Sequence, residues 1–230
     1  MDLMTALRTT AAIREFENRE VSDETIYDLL ETARFAPSGG NRQAWRVVVV
    51  KDEHQRALLG EAYRRGWYEY LAQGAAGLVP WASVTNREAE QEAIRHASAF
   101  EEAAKQGPGG MAEHLESSPV LMLLVADLRY LATVDRDLDR YTLVGGGSIY
   151  PFAWSVLLAA RSVGLGGVLT TMVVKDEEEL RGAFHLEQHH CIAGLMVLGY
   201  PKHQPTKLRR SLVESFATFD TLDGTAVSPR

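Results

Sequence analysis

The chain has 230 residues, of which 46% are hydrophobic, and it carries a formal net charge of −7 at pH 7. This acidic balance argues against nucleic acid as the main partner, and no apolar run approaches the ~18 residues that a membrane span needs. A single cysteine, Cys191, excludes an intramolecular disulfide and fits a reducing compartment, so the sequence predicts a cytoplasmic protein that needs no membrane.

The first predicted elements are two helices. The spacing of apolar residues predicts a short helix over residues 2–9. Ser22 is a good N-cap for a second helix over residues 23–35, because Asp23 and Glu24 follow it in the first turn. Pro37 prevents this helix from continuing.

The stretch from Ala36 to Lys51 combines a loop of small residues with a buried strand. Two glycines precede the polar side chains of Asn41 and Gln43, and the four β-branched residues Val47–Val50 follow. Such a valine run is typical of a strand that is buried on both faces. A binding loop on a rigid scaffold and an ordinary helix-to-strand connection both fit this pattern.

A long helix over residues 53–74 carries more aromatic side chains than one buried stripe can hold. A charged helical stretch over residues 86–105 follows, and the glycines of residues 107–110 give a flexible joint. We interpret residues 71–115 as a lid over one side of a site. Solvated packing helices are the alternative, and the sequence favours neither.

The second half of the chain predicts three further strands, over residues 119–126, 168–174 and 192–198. Between the first two lies a helix over residues 149–163 that is apolar nearly all round, which indicates a central position or a subunit interface. A short acidic helix is predicted over residues 176–184. Alternating helices and strands favour an α+β or α/β domain with one central sheet.

Several familiar motifs are missing or incomplete. The glycines Gly164, Gly166 and Gly167 lack the third glycine of a dinucleotide fingerprint, and they follow a helix rather than a strand. A cluster formed by His185, His189, His190 and Cys191 lacks an accompanying general base, so we expect no metal site there. No arrangement of residues suggests a catalytic triad.

Two arginines in the N-terminal segment could hold a phosphate. Arg8 and Arg14 flank the hydroxyl and small residues of positions 9–12. Guanidinium forks and hydroxyl groups are suitable donors to phosphate oxygens. Taken alone, these residues fit solvated surface arginines better.

Five segments in their order along the chain resemble the nitroreductase family of flavin mononucleotide (FMN) enzymes. They are Arg14-Glu15-Phe16, the stretch APSGGNRQAW from Ala36 to Trp45, Gly164-Leu165-Gly166, Gly199-Tyr200-Pro201, and the basic run Lys207–Arg210. The second segment is fairly specific, and the others are weak individually. Together they span nearly the whole chain.

The resemblance implies a single domain over residues 1–230, with an α+β fold in which helices flank a central mixed β-sheet. It also implies a homodimer with each flavin between the two subunits. The N-terminal segment and the C-terminal basic residues would hold the ribityl phosphate, and the partner's loop from Pro37 to Gly39 would pack near the ring. The residues that the resemblance assigns to cofactor binding are Arg8, Thr9, Thr10, Arg14, Pro37, Ser38, Gly39, Asn41, Gln43, Thr170, Thr171, Met172, Lys207 and Arg209.

One departure from the family concerns the phosphate. Many members have two arginines and a serine before the segment that ends in Phe, whereas this chain has Thr10-Ala11-Ala12. The nearest upstream arginine is Arg8, which would need a different backbone path to reach a phosphate. Arg14 and Arg209 are therefore the safer assignments.

The function that the resemblance implies is transfer of hydride from NAD(P)H through flavin N5 to a small organic acceptor, of nitroaromatic or quinone type, by a ping-pong scheme. Catalytic side chains are not required, because the cofactor carries the chemistry. The alternatives are a flavin-binding carrier or sensor without turnover, and a flavin enzyme with a narrow substrate. No nicotinamide fingerprint distinguishes NADH from NADPH.

Overall fold

The computed structural model describes residues 1–229. Within that range the helices are α1 (Leu3–Thr9), α2 (Asp23–Ala33), α3 (Glu53–Ala75), α4 (Arg87–Ile94), α5 (Ala97–Ala104), α6 (Met111–His114), α7 (Tyr150–Ser162) and α8 (Glu177–Ala183), and the strands are β1 (Trp45–Val49), β2 (Val120–Asp127), β3 (Gly166–Thr170) and β4 (His190–Gly199). Short 3₁₀ turns include Gly39–Asn41 and Met172–Asp176.

The four strands form one sheet in the order β1-β2-β4-β3, and every neighbouring pair is antiparallel. Among residues 1–229 the only parallel pairing is an isolated bridge between Ala12 and Gly167. The α+β fold class is thus confirmed, and the mixed character expected of the sheet is confined to this bridge.

Helices cover both faces of the sheet. Met122 and Leu124 of β2 pack in one core with α2 and α7, whereas Leu121 and Leu123 pack in a second core with α3 and α8. Successive side chains of a strand point to opposite faces, which is why the two sets alternate. Every residue of β2 is buried, as expected for a central strand.

Side-chain caps fix the starts of α1, α2 and α3. Asp2, Ser22 and Asp52 accept hydrogen bonds from backbone N–H groups three residues later, at 3.0, 3.2 and 2.9 Å. Each cap satisfies a backbone donor that the first turn of a helix leaves without a partner. The predicted cap at Ser22 is therefore confirmed, and α2 ends at Ala33, two residues before the predicted end.

Two predicted elements differ from the structure. The strand predicted over residues 168–174 ends at Thr170, and a 3₁₀ turn follows, because Val173 packs into the core beside α3 instead of extending the sheet. The helix predicted over residues 86–105 is two helices, which break at Arg95 and His96. After the basic run no α-helix forms before residue 229, and Val213–Ser215 is a 3₁₀ turn.

The helix α7 is buried on one side only within the protomer. Phe152 and Val156 face the core, and the ring of Phe152 stacks on Trp45 with a centroid distance of 4.9 Å. Tyr150 and Trp154 are 42% and 40% exposed. Across residues 1–229, none of the helices has both the length and the apolar character that crossing a membrane would take.

Candidate functional site

The backbone of the N-terminal segment is tied to one end of the sheet. Ile13 N–H donates to the carbonyl of Gly167 at 2.9 Å, and Lys202 N–H donates to the carbonyl of Glu15 at 3.1 Å. Residues 13–15 therefore lie between β3 and the segment that follows β4. These bonds hold Arg14 at the edge of the sheet.

The side chain of Arg14 lines a cavity of about 320 Å³ beside α3, together with Tyr63, Trp67, Tyr68 and Phe100. This volume lies at the lower end of the range for small-ligand pockets. Burial raises the pKa of Tyr63, and the nearby Arg14 guanidinium opposes that rise. The cavity is thus mainly aromatic and has a cation on its wall.

A hydrogen bond joins residues 110–113 to α3 on another wall of this cavity. The Tyr68 hydroxyl donates to Glu113, whose other carboxylate oxygen accepts from Gly110 N–H at 2.5 Å. Burial and this hydrogen bond raise the pKa of Tyr68. The glycine joint over residues 107–110 is consequently anchored to α3 through Glu113.

The end of β3 reaches the same part of α3. A Cβ added at Gly66 would lie 2.9 Å from the carbonyl oxygen of Met172, so glycine permits this close approach. Met172 N–H reaches only the Thr170 hydroxyl, at a long 3.4 Å, and Thr171 is exposed. The structure thus brings Arg14 and residues 170–172 to one stretch of α3.

The predicted threonines lie at the C-terminal end of α1. The buried Thr10 hydroxyl donates to the carbonyl of Ala6 at 2.8 Å, which makes it a poor candidate for a ligand donor. The Thr9 hydroxyl accepts from Arg161 Nε at 3.3 Å, and the Thr9 carbonyl accepts from Gln204 Nε2 at 3.0 Å. Neither Arg161 nor Gln204 was among the residues predicted from the sequence.

The remaining predicted cations have no ion-pair partner within residues 1–229. Arg8, Lys207 and Arg209 are exposed, and within residues 1–229 no carboxylate lies within 4 Å of them. The segment that carries Lys207 and Arg209 follows the last strand, β4.

The loop of residues 37–43 is held by its own hydrogen bonds and by one distant contact. Ser38 Oγ accepts from Gln43 N–H at 3.0 Å, and Gln43 Nε2 donates to Asn41 Oδ1 at 3.1 Å. Gly39 N–H donates to Ser148 Oγ at 3.0 Å. Asn41 and Gln43 have positive φ values of 55° and 50°, a strained conformation that is concentrated at ligand-binding loops.

This loop and the N-terminal segment lie at opposite corners of the sheet. The strands β1 and β3 are its two edges, which are about 14 Å apart at the usual strand spacing. Trp45 of β1 pairs with Ala126 of β2, which in turn pairs with Cys191 of β4. Gly166 of β3 pairs with Gly199 of β4, which is eight residues after Cys191. The offset between the two corners along the strand direction is therefore about 26 Å. The corners are about 30 Å apart, farther than one flavin mononucleotide extends.

Residues 7–200 match the Nitroreductase family. The chain belongs to the nitroreductase family. It is 28% identical over 205 residues to an NADH dehydrogenase of Thermus thermophilus, covering 89% of each chain. It is also 23% identical over 235 residues to a 4-nitrobenzoate reductase of Pseudomonas putida, covering 96% of this chain and 97% of that one.

Solved structures with the same fold include other members of the nitroreductase family. A BluB-like flavoprotein from Clostridium difficile 630 aligns with a TM-score of 0.67 and 21% identity, and the alignment covers 96% of this chain and 100% of that one. An NADPH:FMN oxidoreductase from Vibrio harveyi, complexed with NAD⁺, aligns with a TM-score of 0.60 and 19% identity, covering 93% and 74%. At these identities the likeness establishes the fold alone.

One further cluster of ligand-type side chains adjoins the end of the Ala36–Trp45 segment, where Asp127 N–H donates to the Ala44 carbonyl at 2.8 Å. Asp127, His189 and His190 place possible metal-ligand atoms within 4.8 Å of one another. The Asp127 carboxylate is already held by Arg129 at 2.8 and 3.0 Å and approached by Arg46 at 3.5 Å. Two guanidinium groups beside the carboxylate compete with a cation, so this arrangement favours an ion-pair network. Sequence reasoning considered the histidines without Asp127, which is distant in the chain.

Proposed function

We propose that this oxidoreductase of the nitroreductase family binds FMN and, through flavin N5, would transfer hydride from NAD(P)H to a small organic acceptor of the nitroaromatic or quinone type. Binding of nicotinamide and acceptor in turn at one pocket would give ping-pong kinetics. The flavin supplies the redox chemistry, and the chain's own residues bind and orient the reactants and exclude water.

The distribution of unpaired cations is the observation that carries this proposal. Among residues 1–229, the lysines and arginines that have no carboxylate within 4 Å lie mainly in three places: residues 8–19, position 161 and residues 202–210. The exceptions are Arg42 and Arg56. They gather around the N-terminal segment and the chain that follows β4, although the net charge is −7. Such a concentration fits a phosphate-bearing ligand, because charge-assisted bonds to phosphate are strong.

Different parts of this set have different roles in the proposal. Lys207 and Arg209 bind the ribityl phosphate. Arg14 faces the isoalloxazine ring, where a cation stabilises the negative charge that the ring gains on reduction. The weakly bonded N–H of Met172 is available to an acceptor atom of the ring.

The aromatic cavity beside Arg14 provides the acceptor site in this proposal. Trp67 stacks between Tyr63 and Tyr70, with ring centroids 6.4 and 5.5 Å apart. These flat rings favour a flat acceptor, and Arg14 favours one that is electron-rich or anionic at its edge. Residues 71–115 form the lid, which excludes water once the acceptor is bound.

A homodimer completes the site in this proposal, with the loop of residues 37–43 supplied by the partner subunit. The separation of about 30 Å within one chain supports this arrangement, because no single flavin reaches both corners. Exposed apolar side chains also need a cover. They include Leu3, Met4, Leu7, Tyr150, Trp154, Leu212, Phe216, Phe219 and Leu222. The lone free thiol of Cys191 favours the cytoplasm as the working compartment.

The first test is the cofactor itself. We expect the purified protein to be yellow, to release FMN rather than FAD on denaturation, and to consume NADH or NADPH when a nitroaromatic or quinone is added. Colourless protein that FMN cannot reconstitute would refute the proposal. Bound FMN without turnover over a panel of acceptors would instead identify a carrier or sensor.

A further inference from the structure

The N-terminal segment lacks the side chains that the family places at the cofactor phosphate, and Thr10 does not replace them. Thr10, Ala11 and Ala12 occupy the positions concerned. Thr10 is only 7% exposed, and its hydroxyl already donates a hydrogen bond to the Ala6 carbonyl. A cation packed against this segment would restore the charge that is missing there.

Arg161 is placed to do so. It lies in the last turn of α7 and donates through Nε to the Thr9 hydroxyl at 3.3 Å. Within the described residues its two terminal nitrogens have no hydrogen-bond partner and no carboxylate within 4 Å. A guanidinium held through one nitrogen still has its two terminal nitrogens available for a bidentate contact with an oxyanion.

Thr9, the residue that contacts Arg161, is itself fixed in place. Gln204 Nε2 donates to the Thr9 carbonyl at 3.0 Å, and the Thr9 hydroxyl donates to the carbonyl of Thr5 at 2.7 Å. The hydroxyl that accepts from Arg161 therefore has a defined position, which orients the guanidinium.

We propose that Arg161 binds the phosphate of the flavin mononucleotide and replaces the arginine missing from residues 10–12. This inference rests on the proposed function, because it assumes that FMN is the cofactor. It makes Arg161, with Lys207 and Arg209, one of the residues that select FMN over riboflavin, which has the same ring and ribityl chain without the phosphate.

A structural role for Arg161 has to be distinguished from this one. The C-terminal end of a helix favours a cation by itself, and Arg161 lies at such an end. Loss of that interaction would destabilise the fold and so weaken the binding of FMN and riboflavin equally. Loss of a phosphate contact affects FMN alone, so a comparison of the two ligands separates the roles.

The experiment measures the dissociation constants of FMN and riboflavin by quenching of flavin fluorescence in the refolded or flavin-stripped protein. We expect Arg161→Gln to weaken FMN binding by roughly tenfold to a hundredfold, as for a lost charge-assisted bond, and to leave riboflavin binding unchanged. Arg136→Gln, which alters an exposed arginine paired with Asp137, is the matched control and should change neither constant.

Three results would overturn the inference. The first is an FMN dissociation constant that is unchanged in Arg161→Gln, and the second is an equal loss of affinity for FMN and riboflavin. The third applies if Arg161→Gln does not fold: it is the absence of an FMN-selective loss of affinity in Arg161→Lys and Thr9→Val. The lysine variant keeps the charge at the helix end, and the valine variant removes the hydroxyl that orients the guanidinium. Wild-type protein that binds neither flavin would instead refute the proposed function.

Discussion

At the scale of single residues, Asp127 illustrates how a fully buried carboxylate is kept charged. Its side chain has no exposed surface, yet Arg129 donates to it through Nε, Nη2 and the backbone N–H at 3.0, 2.8 and 3.2 Å. These bonds, chiefly those from the side chain, hold the pKa of Asp127 well below its usual range against the opposing effect of burial. The stability that they contribute must therefore depend on acid pH.

We predict that Asp127→Asn makes the protein less stable at neutral pH and less sensitive to acid. A lowered pKa stabilises the native state above the unfolded value of about 4, and this stabilisation disappears as pH falls through the folded value. Thermal melts from pH 7 downwards should show a steeper loss of Tm in the wild type below about pH 4. Asp137→Asn, at an 89% exposed side chain, is the control. Parallel curves for wild type and Asp127→Asn would contradict the prediction.

A second prediction at this scale concerns Arg209. We expect Arg209→Ala to weaken FMN binding by roughly tenfold to a hundredfold without unfolding the chain, since a guanidinium–phosphate bond is charge-assisted. The neighbouring Arg210 donates to the Arg209 carbonyl at 2.7 Å and keeps part of the local charge. The measurement is a flavin titration beside a melting curve. A dissociation constant equal to that of the wild type would make Arg209 a surface residue without a cofactor role.

Residue types alone identified part of the candidate site. Polar side chains after two glycines predicted the loop that contains Asn41 and Gln43. Neither the contact of Gly39 with Ser148, 109 residues apart, nor that of Thr9 with Arg161, 152 residues apart, has a local signal. Such contacts arise from the packing of whole helices and strands against one another, and a single sequence does not reveal which elements pack together. An arginine in the otherwise apolar α7 was the only available hint of the second contact.

At the scale of elements, the lid and α3 determine the acceptor in our proposal. We predict that Trp67→Ala or Tyr68→Ala raises the KM for the acceptor severalfold while the FMN content changes little, because both side chains line the aromatic cavity. Tyr27→Ala, which removes a 65% exposed aromatic side chain on α2, is the control. Steady-state kinetics with several acceptors, together with flavin absorbance, provide the measurement. Unchanged acceptor kinetics would remove these aromatics from the site.

The sequence predicted most elements because their patterns were strong and local. Buried runs marked the strands over residues 119–126 and 192–198, and the cap at Ser22 marked the start of α2. The pattern failed over residues 171–174, where β-branched valines favour a strand but pack beside α3. In such a segment, tertiary packing outweighs the intrinsic strand propensity of the residues. The antiparallel register was not predictable either, since it depends on partners far apart in the chain.

At the scale of the whole molecule, the two distant corners lead to a complementation experiment. Ser38→Trp and Arg209→Glu should each inactivate the homodimer, because each damages a different contribution to every site. Mixed dimers then contain one site with both intact segments and one with neither. We predict recovery of at most about half of the wild-type activity, as twofold symmetry requires.

Co-expression with two affinity tags isolates the mixed dimers for this measurement. Mixed dimers that form and stay inactive would mean that one chain supplies both segments to the same site. The family resemblance implied a shared site, but composition and periodicity could not have predicted it. The exposed fractions of Tyr150 and Trp154 identify an uncovered face only after the fold of one chain is known.

The separation of the two corners has a consequence for cofactor retention. If each flavin is held by two chains, then cofactor binding and subunit association form one linked equilibrium. By thermodynamic reciprocity, FMN tightens the dimer by the same factor by which dimerisation tightens FMN binding. Dilution of the enzyme would then release flavin by mass action, and added FMN would oppose dissociation of the subunits. In our proposal, the sheet geometry of a single chain would thus make enzyme concentration a determinant of cofactor content.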